Sequence, residues 1–172
     1  MKISIDTNIL VRLFVSDDPI QQQKAITALD AADAVIVPTP VFCETVWVLL
    51  KLYQQDKRAL CTQLMDFVTH PKLVYDKTII TAGLALMQQG GDFADGVNEA
   101  AGKVLGAETF VTFDKKAAKL LRKQGCLVHD VSFFNSGLRN KSGIKTRLLS
   151  FQTTFFYFSC FFNNTHARIR LV

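Results

Sequence analysis

Acidic residues are absent from the end of the chain, and this absence changes how its basic character is interpreted. The 172 residues carry a formal net charge of +5. Residues 131–172 contain six lysines or arginines and no aspartate or glutamate, so the basic excess lies there. The preceding part of the chain is nearly neutral, and its composition gives no support for a long-range field that attracts nucleic acid. Local clusters of lysine and arginine can still bind it.

Long apolar runs and paired cysteines are also missing. No segment reaches the roughly 18 consecutive apolar residues of a membrane-spanning helix. The first residues lack the basic and apolar regions of a signal peptide. The four cysteines are scattered, without a C-x-x-C pair, which argues against both a disulfide framework and a zinc site. These absences predict a cytoplasmic protein in a reducing compartment, with no membrane partner.

The chain length suits one domain, and the composition changes near residue 132. Residues 1–132 alternate strand and helix patterns. Residues 133–172 begin with a linker-like stretch, "NSGLRNKSGIKTR", and contain eight of the 14 phenylalanines. Three interpretations of this atypical, basic, Phe-rich extension remain open. It is an added partner-binding or membrane-surface element, a part of the core packing, or a segment that is not native to the fold.

The alternation in residues 1–132 predicts the fold class. The predicted strands are residues 2–5, 34–37, 72–75, 108–113 and 126–131. The predicted helices are residues 8–14, 19–32, 39–53, 56–69, 77–89, 90–107 and 114–125. Asp18 before Pro19 and Thr39 before Pro40 mark two helix starts. Strands separated by helices pair in parallel with helices on both faces, so we expect a three-layer α/β/α domain with a central parallel sheet.

Four acidic residues fall at positions that such a sheet brings to one edge. Asp6 follows the first strand, and Asp114 follows the strand "FVTF". Glu44 and Asp95 lie near the amino ends of two intervening helices. Ligands of open α/β sheets bind at the carboxyl ends of the strands. We therefore expect these four carboxylates to converge on one crevice.

Glu44 makes the strongest case for a bound cation. Its neighbours three and four positions away on the helix are apolar, so no lysine or arginine of that helix can neutralise it. An unpaired carboxylate in apolar surroundings is costly. Clustered acids raise one another's pKa, and a divalent cation relieves their repulsion. Oxygen ligands with few histidines or cysteines favour Mg²⁺ or Mn²⁺ over zinc.

Each acid also has a structural alternative. Asp6 or Asn8 can cap the helix that follows the first strand, and Asp114 can cap the next predicted helix. Asp92 is better explained as a helix cap than as a metal ligand. Glu99, one turn beyond Asp95, is either a further ligand or, by preference, a solvated residue. Capping and ligation both remain open for Asp6 and Asp114.

Four motifs resemble, in order and spacing, the acidic motifs of PIN-domain ribonucleases: "SIDTNIL", "VFCETVWVL", "GGDFADGVNEAA" and "ETFVTFDKKAAKLL". Within that family the chain most resembles the VapC-type toxins of bacterial toxin–antitoxin pairs. The resemblance implies a catalytic and metal-binding centre of four acids, supported by two polar residues. The acids are Asp6, Glu44, Asp95 and Asp114, and the supporting residues are Asn8 and Thr112.

The resemblance also implies an activity and partners. It predicts hydrolysis of RNA with Mg²⁺ or Mn²⁺, a homodimer, and a cognate antitoxin protein. The basic residues within 115–123 then contact RNA or form a solvated helix face. The alternative function is a non-catalytic PIN-like module that binds nucleic acid or protein.

Two other protein classes, a phosphotransferase and a signalling domain, fit the sequence less well. A dehalogenase-like phosphotransferase carries a second aspartate two residues after the first, and here that position is Asn8. A receiver domain needs a pair of acids near its start, and this pair is missing. The chain has no P-loop, G-x-S-x-G or G-x-G-x-x-G motif.

Overall fold

A computed structural model of the protein describes residues 1–131. The predictions for residues 133–172 lie outside this range. The described part alternates strands and helices. The elements are β1 (Lys2–Ser4), α1 (Thr7–Phe14), α2 (Pro19–Ala31), β2 (Ala34–Ile36), α3 (Thr39–Lys51), α4 (Lys57–Phe67), β3 (Leu73–Val74), α5 (Lys77–Gln88), α6 (Phe93–Val104), β4 (Phe110–Thr112), α7 (Lys115–Lys123) and β5 (Val128–Asp130). The predicted single-domain α/β fold class is confirmed.

All strand pairings among residues 1–131 are parallel. β2 lies between β1 and β3, with Val35 opposite both Ile3 and Leu73. β4 pairs separately with β5, with Val111 opposite His129. The described strands thus form one ladder of three strands and one of two. They are shorter than predicted, and after each of β1, β2, β3 and β4 the second residue is already the N-cap of a helix. Within residues 1–131 no helix has the length and apolar character needed to cross a bilayer.

Two clusters of buried side chains hold the helices to the strands. In the larger cluster Leu10, Phe42 and Leu49 are 0% exposed. Phe42 packs edge-on against Phe67 and Tyr75. The smaller cluster lies between α5, α7 and β5 and contains Leu86, Leu121 and Val128. Each fully buried Leu or Phe contributes about 1.5–3 kcal/mol to folding. Packing in these clusters therefore holds the helices in fixed positions relative to the strands.

Aspartate caps are the usual helix start in the described residues. The capping residues are Asp6, Asp18, Asp56, Asp76, Asp92 and Asp114. Helix α3 differs, because its N-cap is Pro38 and no side chain caps it. The prediction that Thr39 is the cap was wrong. The carbonyl of Pro38 already accepts the N–H of Val41 at 3.0 Å, which places Thr39 inside the first turn.

Helices α5 and α6 approach each other through two glycines. A Cβ atom on Gly96 would lie 2.6 Å from the carbonyl oxygen of Ala82 and 2.9 Å from the Cα of Gly83. A Cβ atom on Gly83 would lie 2.7 Å from the ring of Phe93. No larger residue fits at either position without displacing backbone or core side chains. This contact sets the position of α6, which carries Asp95.

We predict that Gly96→Ala lowers the free energy of unfolding by about 1–3 kcal/mol, the usual cost of overpacking. Urea unfolding followed by circular dichroism measures the change. Gly102→Ala on the same helix is the matched control, since its Cβ would meet nothing closer than 3.7 Å. That substitution should stabilise the protein by about 0.5–1 kcal/mol, because alanine favours helix over glycine. Equal effects of the two substitutions would contradict the close-contact explanation.

Candidate active site

Asp6 lies between β1 and α1 and caps α1. Its Oδ1 accepts the backbone N–H of Ile9 at 2.9 Å, so the capping alternative is confirmed for this residue. The side chain is exposed. Within residues 1–131 no hydrogen bond reaches its Oδ2. Capping therefore uses one carboxylate oxygen and leaves the other for a ligand, and the two roles are compatible.

Glu44 is joined to α1 and is not enclosed by apolar side chains. The hydroxyl of Thr7 donates to Oε2 of Glu44 at 2.6 Å, and the Glu44 side chain is exposed. The expectation that Glu44 lies in apolar surroundings was wrong. Its helical neighbours Pro40 and Trp47 are themselves exposed, Trp47 by 53%. The other two neighbours, Val41 and Val48, are partly buried against the core, so apolar neighbours along a helix do not by themselves enclose a side chain.

Asp95 experiences the negative charges of two other carboxylates. It occupies the first turn of α6 and is partly buried. Burial, followed by the negative charges of Asp92 and Asp114, raises the pKa of Asp95, while the charge of Lys57 opposes the rise. Repulsion of this kind is the behaviour predicted for acids that share a site. The structure thus associates Asp95 with Asp114, and adds Asp92 and Lys57 to their surroundings.

Asp114 is held at the end of β4 by backbone hydrogen bonds. Its Oδ1 accepts the N–H groups of Lys116 at 2.7 Å and Ala117 at 2.9 Å, which confirms the cap of α7. Its own N–H donates to Oγ1 of Thr112 at 3.0 Å. Thr112 thereby fixes the turn from which Asp114 projects. Asn8, the other predicted supporting residue, is exposed, and its side chain forms no hydrogen bond within residues 1–131.

The acids form two groups that α3 connects. Glu44 is joined through Thr7 to the start of α1, where Asp6 is the cap, whereas Asp92 and Asp114 act on Asp95. Helix α3 packs against both α1 and α6. Burial and the charge of Asp92 raise the pKa of Cys43, the residue before Glu44, so the start of α3 also lies beside the second group. As positioned in residues 1–131, no three Asp, Glu, His or Cys side chains are close enough to hold a metal ion. Convergence of all four predicted acids stays a prediction.

Glu99 has a structural environment that the sequence did not indicate. It is 6% exposed, and its Oε1 lies 2.6 Å from Nζ of Lys103 on the next turn of α6. The preference for a solvated Glu99 was therefore wrong. The packing of α6 buries the carboxylate, and Lys103 neutralises it while its own side chain remains half exposed. This pairing occupies the acid and argues against a ligand role.

Two residues of the site were missed by sequence reasoning. Thr7 follows Asp6 directly, but only the packing of α1 on α3 brings its hydroxyl to Glu44. Lys57 is distant in sequence from Asp95 and begins α4. The sequence contains no signal for either contact, because both join separate helices.

The donor set suits a hard divalent cation. The side chains concerned offer carboxylate oxygens, which Mg²⁺ and Mn²⁺ prefer. Capping by itself does not identify such a site, since Asp18, Asp56 and Asp76 cap their helices in the same way. The distinguishing observation is the repulsion at Asp95, which a bound cation would relieve. The chemistry of these donors therefore suits the ion that the sequence predicted.

Parallel strands with carboxylates at strand ends and helix starts define an α/β domain with an acidic centre. The PIN domain family matches residues 3–123, and the chain belongs to this family. PIN domains are typically metal-dependent nucleases, and they commonly use Mg²⁺ or Mn²⁺. None of the curated proteins compared with the chain matches it.

We predict that Asp95→Asn stabilises the metal-free protein at neutral pH. Because the folded protein raises the pKa of Asp95, the ionised carboxylate lowers stability as pH rises through that raised pKa. The penalty is absent below the ordinary carboxyl pKa of 3.8. Urea unfolding in EDTA should show a higher free energy of unfolding for the variant at neutral pH, and no difference near about pH 3. Asp66→Asn, which removes an exposed acid of α4, is the control. An equal pH-dependent gain in that variant would contradict the explanation.

Proposed function

We propose that the protein is a metal-dependent endoribonuclease that hydrolyses RNA phosphodiester bonds. The observation that carries this proposal is the group of repelling carboxylates around Asp95 in a chain of the PIN domain family. The finer role, toxin of a toxin–antitoxin pair, is supported by the resemblance of the four acidic motifs to VapC-type toxins. That role brings with it a homodimer, a cognate antitoxin protein and a cytoplasmic location.

In the proposed mechanism the chain's own acids hold the ion and the water. Asp6, Asp95 and Asp114 contribute carboxylate oxygens to Mg²⁺ or Mn²⁺. If such an ion is bound by these residues, it would lower the pKa of a water and offset charge on the phosphate. Glu44 is assigned to the attacking water. Its Oε2 is held by the hydroxyl of Thr7, which leaves Oε1 to accept a hydrogen bond from that water.

We predict that Asp6→Asn abolishes RNA cleavage without unfolding the chain. Asparagine caps a helix as well as aspartate does, so the hydrogen bond to Ile9 is kept while a charged metal ligand is lost. The rate of cleavage of a labelled RNA mixture in Mg²⁺ should fall by at least about 100-fold. Loss of a residue that only supports a metal ligand already costs up to about 100-fold in activity, and loss of the ligand itself should cost at least as much.

Asp76→Asn is the matched control for this experiment. Asp76 caps α5 through the same hydrogen bond to the third residue of the following helix. Its substitution should leave the cleavage rate unchanged. Full activity of Asp6→Asn, with its melting temperature equal to that of the wild type, would exclude the assigned role of Asp6.

We predict that Mg²⁺ or Mn²⁺ raises the melting temperature of the wild-type protein. A ligand at 100 times its Kd stabilises the folded state by about 2.7 kcal/mol. Asp95→Asn should lose most of this stabilisation, because it removes one of the repelling carboxylates that the ion would neutralise. A metal-induced shift of equal size in both proteins, measured by differential scanning fluorimetry, would place the ion elsewhere.

The non-catalytic binding module is the second candidate function. Such a module would bind RNA equally well in EDTA and in Mg²⁺, and would cleave it in neither. It would also tolerate Asp6→Asn and Asp95→Asn without loss of binding, whereas the nuclease would lose cleavage in both.

A further inference from the structure

Lys57 differs from the other lysines that begin helices in the described residues. Lys57, Lys77 and Lys115 each occupy the first helical position after a capping aspartate. A positive charge there opposes the helix dipole, so solvent exposure is the expected state. Lys77 and Lys115 are exposed, but Lys57 is partly buried. Its Nζ lies 3.4 Å from the carbonyl oxygen of Gly90, in the turn that joins α5 to α6.

A second lysine approaches the same turn from α7. A Cβ atom built on Gly90 would lie 3.9 Å from Nζ of Lys116. Gly90 has a φ of 85°, which glycine adopts without strain, and its missing side chain leaves the space beside the turn open. Two ammonium groups from different helices therefore flank one glycine. Within residues 1–131 neither Lys57 nor Lys116 forms an ion pair.

This lysine pair, Lys57 and Lys116, lies beside the acidic group around Asp95. Lys57 acts on Asp95 electrostatically, although the two side chains form no ion pair. Lys116 donates its backbone N–H to the carboxylate of Asp114. An ammonium group has three donors, and Gly90 uses one of those of Lys57. Donors of both lysines thus remain for an anion at the edge of the acidic group.

The acidic group repels phosphate, so a polyanionic substrate needs nearby cations to be held there. We propose that Lys57 and Lys116 together bind a backbone phosphate of single-stranded RNA next to the acidic group, as positioning residues. This inference rests on the proposed nuclease function. It assigns to the Gly90 turn the contact that holds the RNA strand, while the acids act on a neighbouring phosphodiester.

Binding of an unstructured, fluorescently labelled RNA to the full-length protein tests the proposal. Fluorescence anisotropy is measured in EDTA over a range of salt concentrations, so that metal-dependent cleavage does not interfere. Each phosphate contact to a single strand contributes about 0.7 to the slope of log K against log salt, or about fivefold in affinity at 0.1 M salt. Because the two lysines share one phosphate, the double variant should reduce the slope by about 0.7, and Lys57→Gln and Lys116→Gln should each reduce it by part of that amount.

Matched variants separate this contact from a general loss of charge. Lys77→Gln removes a lysine from the equivalent first position of α5. About 18 Å of helix separates Lys77 from the Gly90 turn, so this substitution should leave the slope unchanged. Lys57→Arg keeps the charge and should restore most of the affinity. All variants retain residues 132–172, so any contribution of that basic segment cancels in the comparison.

Two outcomes overturn the proposal. In the first, Lys57→Gln and Lys116→Gln show the same slope of log K against log salt as the wild type. In the second, the wild-type protein shows no salt-dependent RNA binding. If Lys57 serves only to offset the charge of Asp95, its substitution changes the Mg²⁺ concentration required for thermal stabilisation and leaves the slope unchanged. Failure of the nuclease function is distinguishable, because the wild type would then not cleave RNA in Mg²⁺ while the lysine variants still lost slope.

Discussion

The close contact of α5 with α6 is the constraint on which the candidate site depends. Gly83 and Gly96 allow the two helix backbones to meet. The contact is so close that a Cβ atom built on Gly96 would lie 2.6 Å from the carbonyl oxygen of Ala82. This contact fixes the turn at Gly90, which follows α5 and precedes α6. The Gly90 turn therefore places Asp95 beside the start of α7, where the charge of Lys57 also acts on it. Packing of apolar and glycine surfaces therefore brings the charged groups together, against their mutual repulsion.

Helix capping and the proposed catalysis draw on the same residues in this protein. Asp6 and Asp114 each hold the first turn of a helix through one oxygen, and so their positions are set by backbone hydrogen bonds. A carboxylate positioned in this way loses little conformational entropy on binding an ion. Thr112 and Thr7 extend the same principle, since each uses a hydroxyl to hold a strand end or a partner acid. Capping of these aspartates is compatible with the proposed ligand role, because each cap uses one carboxylate oxygen.

The two glutamates show why burial was the weakest inference from sequence. Glu44 has apolar neighbours along its helix but is itself exposed, and its described partner is the hydroxyl of Thr7 on α1. Glu99 follows a polar residue and precedes an apolar one, yet it is buried and paired with Lys103. Periodicity identifies which residues share a face of a helix. It does not identify what packs on that face.

Local patterns in the sequence predicted the parallel α/β fold, the caps at Asp18 and Asp92, and the family, because apolar periodicity, helix-start residues and the four acidic motifs each involve neighbouring residues. Capping was one of two open interpretations for Asp6 and Asp114, and the cap of α3 lies one residue before the predicted Thr39. Three contacts come from packing alone: Thr7 meets Glu44, Asp92 shares the surroundings of Asp95, and Lys57 and Lys116 flank Gly90. The physical reason is that these contacts join helices that are far apart in the chain, and their distances follow from how the core side chains pack.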